Sequence, residues 1–258
     1  MQTSWLLDGA ATYLHEHGRL QKAKPLFERA LRIDETIYGP DHPSVATGLS
    51  NLALVLQDLG DPAAARPLLE RAQRIDETTH GPDHPEVATK LNNLAMVLQD
   101  LGDPAGARPL LERTLHIDET THGPDHPEVA TDLNNLALAL HDLGDPATAR
   151  PLLERTLHIY ETTHGPDHPE VATDLNNLAM VLRDLGDSAT ARPLLERALH
   201  IYETTYGPDH PTVAATLNNL AVVLEDLGDP AAARPLLERT LHIAEPPTAG
   251  TTPPSPPD

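Results

Sequence analysis

GPDHPEVATKLNNLAMVLQDLGDPAGARPLLERTLHIDETTH occupies Gly81 to His122, and at Gly123 the same run begins again. Its opening, GPDHP, recurs at Gly39, Gly81, Gly123, Gly165 and Gly207, each 42 residues after the last. Self-similarity at such a period marks a solenoid, in which one supersecondary unit cannot bury its apolar face alone and stacks on its neighbours. A catalytic centre gathers unlike groups around one point. A pattern spread along a line points toward recognition instead.

Within a copy, Leu91, Leu94, Ala95 and Leu98 form one stripe of an amphipathic helix, the first of the unit. Asp83 precedes Pro85-Glu86 with capping-box spacing, so Asp83 is expected as the N-cap and Glu86 as the group reaching back. Gly102 is placed for a left-handed residue just past the helix end. Asp103-Pro104 then opens a second helix, with Asp as N-cap and Pro at the first helical position. That helix turns Ala107, Leu110, Leu111, Leu115 and Ile117 toward its partner, and a turn as short as Gly-Asp makes the two antiparallel. Pro109 and its equivalents Pro25, Pro67, Pro151, Pro193 and Pro235 fall inside the second helix. An interior Pro removes a hydrogen bond, which predicts a bend or a locally opened turn in every copy.

Composition agrees with thin stacked layers. Hydrophobic residues make up 39% of the chain and aromatics only 3%, too few for a wide core. Lys and Arg number 18 against 39 Asp and Glu, a formal charge of -21 that repels nucleic acid and anionic membrane surfaces. Cys is absent, so neither disulfides nor thiolate chemistry contribute. Asp8 interrupts the apolar start and no basic segment precedes it, which argues against a signal peptide; no apolar stretch is long enough to span a bilayer. A cytoplasmic protein is expected. The preference for Arg over Lys, with abundant Ala, Pro and Asp, suggests a GC-rich bacterial gene.

Leu-x-x-Leu-Ala-x-x-Leu-x-x-x-Gly followed by Ala-x-x-x-Leu-x-x-Ala resembles the tetratricopeptide repeat. The 42-residue period, with HPxVAxxLNNLA and ARPLLERAL, is similar to the kinesin-light-chain variety. The resemblance implies an all-α, right-handed α-solenoid of six antiparallel hairpins spanning 1–244, with repeats at about 3–38, 43–80, 85–122, 127–164, 169–206 and 211–244. Residues 245–258, Pro-rich and without an apolar face, are expected to be a disordered tail. The first and last copies carry no polar cap, which suggests a fragment, self-association through an end, or a frayed terminal repeat.

In the tetratricopeptide fold, the side of the first helix facing away from its partner lines the concave groove of the superhelix. A 100° step per residue places Asn93, Met96 and Asp100 there, with Thr89 and Asn92 flanking. Asn51, Asn93, Asn135, Asn177 and Asn219 form one row, with Ser50, Asn92, Asn134, Asn176 and Asn218 beside it. Such rows either hold a peptide backbone or brace neighbouring helices by hydrogen bonds. Leu54, Met96, Leu138, Met180 and Val222 form either an apolar binding strip or a strip covered by a neighbouring helix. Asp58, Asp100, Asp142, Asp184 and Asp226 sit in a last turn, where the helix dipole disfavours a carboxylate. Either an Arg of the second helix, such as Arg108 or Arg113, compensates them, or they select a basic peptide.

The expected function is a protein-interaction scaffold that takes a neutral or basic peptide or protein segment. The alternative is a structural or regulatory arm of a larger bacterial signalling ATPase or other multidomain protein. Groove faces that clamp a C-terminal carboxylate carry Lys and Arg, whereas this one carries Thr, Asn and Asp. Without heptads for a motor, kinesin transport does not carry over either. His80 and His84 flank Gly-Pro-Asp, yet Tyr38 and Tyr206 replace the first His in other copies, so no metal site is expected. His42, His84, His126, His168 and His210 recur beside the Pro that opens the first helix, where a loop role suffices. Adjacent acids such as Asp118-Glu119 read as surface carboxylates that do not converge. Phosphate loops, nucleophile elbows and HExxH are absent, so neither catalysis nor a cofactor is expected.

Overall fold

The punctuation of each copy sets where its helices start and stop. A computed structural model describes residues 2–244, with side chains from Ser4 onward; the Pro-rich segment 245–258 lies outside the described residues. The described residues form twelve α-helices and no strand. In chain order they are α1 (Gln2–Glu16), α2 (Leu20–Tyr38), α3 (Pro43–Asp58), α4 (Pro62–His80), α5 (Pro85–Asp100) and α6 (Pro104–His122). They continue with α7 (Pro127–Asp142), α8 (Pro146–His164), α9 (Pro169–Asp184), α10 (Ser188–Tyr206), α11 (Pro211–Asp226) and α12 (Pro230–Ala244). Two compact units result, Met1–Asp145 with α1–α7 and Pro146–Asp258 with α8–α12. Inside each unit every helix packs on the next, the pattern of stacked hairpins in an all-α solenoid fold.

The first helices are capped differently from the capping-box expectation. The N-cap of α5 is His84, whose Nδ1 accepts the backbone N–H of Glu86 at 3.2 Å, and Asp83 lies outside the helix. The reason is Pro85: the residue before a proline is held extended, and His84 has φ −82 and ψ 143. Glu86 is thereby the second helical residue, one short of the position from which it could reach back. His42, His126, His168 and His210 cap in the same way. At the other end Gly102 takes φ 74, Gly102 N–H donates to Gln99 and Asp103 N–H to Leu98. This is a Schellman ending, which needs the positive φ. Asp103 then caps α6, accepting the N–H of Gly106 at 2.9 Å.

The interior prolines do not open a turn. Each second helix runs unbroken through its Pro, for 19 residues in α6 with Pro109. Pro109 is the sixth residue of α6, so the carbonyl it leaves without a donor is that of Ala105, in the exposed first turn where water can serve it. The lost bond therefore stays at the helix margin.

Apolar burial carries the stack. Val87, Ala88, Leu91, Leu94, Ala95, Val97 and Leu98 of α5 are buried, as are Ala107, Leu111 and Ile117 of α6. Leu110 and Leu115 are only half-buried. α5 packs on both α4 and α6, which is why its buried surface is wider than one stripe. A fully buried Leu contributes about 1.5–3 kcal/mol, and the equivalent residues are buried from α3 through α10.

Candidate functional site

The rows on the first helices divide between bracing and exposure. Asn135 Nδ2 donates to Asn92 Oδ1 at 3.0 Å, and Asn219 Nδ2 donates to Asn176 Oδ1 at the same distance. Each bond joins the first helices of successive hairpins. Asn51, Asn93, Asn134 and Asn177 are half-buried and Asn218 is exposed. Ser50 is buried and donates to the carbonyl of Ala46 in its own helix, so it is no part of an accessible row. Leu54, Met96, Leu138, Met180 and Val222 are all half-buried.

The acid row is held differently from expectation. Asp100, Asp142 and Asp184 are exposed. Asp100 accepts from Nε2 of Gln57 at 2.5 Å, Asp58 lies 2.6 Å from Nε2 of His15, and Asp226 accepts from Nε of Arg183 at 2.7 Å. Each partner comes from the first helix of the preceding hairpin. Neither Arg of the second helix serves: Arg108 pairs with Glu112 in its own helix, and Arg113 bridges Glu77 and the carbonyl of Pro82. Gln57 and Arg183, each one residue before an Asp of the row, reach the next acid once helices stack, and His15 does the same for Asp58, all without the second helix.

The His-rich loops are explained by packing. His80 stacks on His84 with ring centroids 4.6 Å apart, His122 on His126 at 4.7 Å, Tyr38 on His42 at 4.6 Å and Tyr206 on His210 at 4.7 Å. Either ring type can cover the capping imidazole, so Tyr and His exchange freely. His122, His126 and Glu128 each bring one donor atom within 4.8 Å of the others. Nδ1 of His126 already accepts the N–H of Glu128, and Nε2 of His122 lies 2.8 Å from the Glu128 carboxylate, so the cap, the stack and one close polar contact account for the trio.

The sequence missed a line of inward-facing charge where the second helix of one hairpin meets the first helix of the next. At the α4–α5 junction Lys90, only 5% exposed, sets its ammonium 3.4 Å from Asp76 and 3.2 Å from Glu86. Burial pushes the Asp76 carboxyl up and Lys90 pulls it back. At the α6–α7 junction the equivalents are Asp118 and Asp132, and they do converge, in a cavity of about 350 Å³ formed by α5, α6 and α7. Burial and then Asp118 push Asp132 up to about 8, so the pair holds a proton at neutral pH. In the second unit Asp174 of α9 is pushed up to about 8 by burial and then by Glu161, with neither carboxylate oxygen hydrogen-bonded. Asp8 of α1 is raised to about 6 by burial and by Asp34. A signal existed. Position 90 lies three residues after Val87 and four before Leu94, on the buried stripe, yet reads Gly48, Lys90, Asp132, Asp174 and Thr216 along the copies.

A family model described as tetratricopeptide repeat matches residues 2–78, 44–119, 86–162, 133–204 and 175–245. No curated protein matches the chain. Among solved structures, a kinesin light chain candidate of Podosopora anserina with nearly identical TPR-like repeats is 29% identical, with a TM-score of 0.68 over 79% of this chain and 96% of that one. BtubC (BKLC) of P. vanneervenii is 22% identical with a TM-score of 0.73, covering 93% of this chain and 98% of its own. A Rap protein in complex with Competence and Sporulation Factor is 14% identical with a TM-score of 0.64, covering 94% and 75%. The last two share the fold. Among the described residues no helix is long and apolar enough to cross a membrane.

Proposed function

The chain belongs to the tetratricopeptide repeat family, in its kinesin-light-chain-like form, and from that premise we propose that it is a protein-interaction scaffold, and not a catalyst, whose first-helix faces hold an extended or helical segment of a partner. The observation that carries this reading is the recurrence, every 42 residues, of one surface: a half-buried Asn row, a half-buried apolar row at Met96, Leu138 and Met180, and an exposed acid row at Asp100, Asp142 and Asp184. Stacked helices hold these groups in place before any partner arrives, so docking loses little side-chain entropy. The Asn braces favour this: Asn135 spends one amide hydrogen on Asn92 and keeps its carbonyl oxygen for a ligand. The acid row and the net charge of -21 select a neutral or basic segment over an acidic one.

The test is capture of partners from lysate by the wild-type chain beside a variant with Asn93, Asn135 and Asn177 changed to Ala, both checked for equal helical content. A partner held by the wild type and lost by the variant supports the reading. A partner retained equally by both moves the interface off the Asn face and overturns it. Capture of nothing by either protein favours the arm of a larger assembly.

A further inference from the structure

The cavity at the α6–α7 junction draws acid from each of the three helices around it. Its wall includes Glu86 and Asn92 of α5, Asp118 and His122 of α6, and Glu128 and Asp132 of α7, with no Lys or Arg among its lining residues. Asp132 is only 4% exposed, and its Oδ2 has no hydrogen-bond partner. A buried carboxylate oxygen without a donor has given up water for nothing in return. One repeat earlier the chain shows what satisfies such a site. Lys90 stands where Asp132 stands, and its ammonium lies between Asp76 and Glu86, the equivalents of Asp118 and Glu128. Exchanging Lys for Asp removes an ammonium and its four-carbon stem and leaves the acids that surrounded them.

We propose that this cavity is a recognition site for a lysine side chain of a partner protein, its ammonium seated against Asp118 and Glu128, in the place that the Lys90 ammonium fills within the preceding repeat, with Asp132 as a third carboxylate. The inference rests on the scaffold reading and names the residue the scaffold selects. Asn92 belongs both to the cavity wall and to the Asn brace, so a segment lying along the first-helix face passes the cavity mouth. A lysine suits it because a compact ammonium on a flexible stem enters a narrow acidic opening as a point charge, as Lys90 does. Seating the ammonium displaces the proton held by the carboxyl pair, so binding tightens as pH rises toward about 8 and levels off above it. The groups facing Asp132 are Asp118 and Glu128; His122 and His126 face Asp118 in turn, and Glu86 stands at the rim.

The experiment is an amide chemical-shift titration of the full chain with the peptide acetyl-Gly-Ser-Lys-Ser-Gly-amide, and with its Nε-acetyl-lysine counterpart. The expected result is saturable shifts at Asp118, His122 and Asp132 with the lysine peptide alone, with an apparent affinity about fiftyfold higher at pH 8 than at pH 6. Asp132→Lys, which rebuilds the Lys90 arrangement and so keeps the fold, loses the response, and Asp132→Asn weakens it and flattens its pH dependence. An unchanged response in Asp132→Lys overturns the proposal, as does no response to the peptide. An equal response to cadaverine overturns it in favour of a free diamine. A response to Zn²⁺ at His122 and Glu128 with none to the peptide overturns it in favour of a metal. Partner capture that depends on the Asn row while the lysine response is missing sinks the cavity alone. A lysine response that persists while capture ignores the Asn row sinks the scaffold face and leaves the cavity standing.

Discussion

The α4–α5 and α6–α7 junctions are the same joint built twice in one unit, and one side chain separates them. At the first, Asp76 meets Lys90, and the charges oppose each other 3.4 Å apart. At the second, Asp118 meets Asp132, and burial and like charge push in the same direction. The α10–α11 junction of the second unit replaces both charges: Tyr202 of α10 stands where Asp76 does and shares a hydrogen bond of 2.7 Å with Thr173 of α9, and Thr216 of α11 stands where Lys90 does. All three leave the surrounding Leu and Ala untouched. The stripe formed by Leu91, Leu133 and Leu217 therefore holds the fold, while the neighbouring position is free to set the local electrostatics.

The harshest way to break the comparison is Lys90→Met, which strands Asp76 without its counter-ion. It should cost about 3 kcal/mol at pH 8, since removing one partner of a buried pair leaves an uncompensated charge. Urea unfolding measures it, and the loss should shrink at pH 5, where Asp76 can take up a proton; an unchanged midpoint at pH 8 would refute the pairing. Adding Asp76→Leu should restore most of the stability.

Asp174→Asn probes the isolated acid and has a definite sign. The folded state keeps the Asp174 proton up to about pH 8, whereas the unfolded chain releases it near its ordinary value of 3.8. Between these values folding takes up a proton, so the wild type loses stability as pH rises through the window. The variant should match the wild type below pH 4 and exceed it by about 6 kcal/mol above pH 8, a gap that thermal melts across this range would reveal. A constant gap would mean that the carboxyl titrates normally.

Asp132→Lys sharpens the comparison by turning the second junction into the first. It should stabilise the chain by about 1 kcal/mol at pH 8, replacing a like-charge pair with an opposite one. No larger are two local bonds that recur along the chain, the His cap and the Asn brace. His126→Ala should cost about 1 kcal/mol by removing the α7 cap, with Asn at that position restoring most of it. Asn135→Ala should cost about 0.5 kcal/mol for the brace to Asn92. Melts of each single variant test both, and a cap variant without effect would return the capping role to Asp83 and its equivalents.

Much of the fold was legible because its signals are local. The period, the Leu stripe and the Gly-Asp-Pro turn each act within one or two helical turns, and the helices begin and end where this punctuation lies. The N-cap was misread by one residue because capping-box spacing was weighed above the extended geometry that Pro85 imposes on His84. For the acid row, Arg108 or Arg113 was one of two alternatives beside selection of a basic peptide; Gln57, 43 residues before Asp100, becomes its neighbour only through stacking. The Asn rows carried both of their alternatives until packing joined Asn135 to Asn92.

Sequence alone dictated the hairpin and its repetition, since proline, glycine and apolar spacing restrict backbone angles and helix faces wherever they occur. Which charges meet was decided only by the tertiary structure. Asp118 and Asp132 lie on different helices, with a turn and a change of direction between them, and nothing local marks them as a pair. Packing takes both carboxyls out of water and against each other, and a buried charge is governed by its nearest neighbours in space.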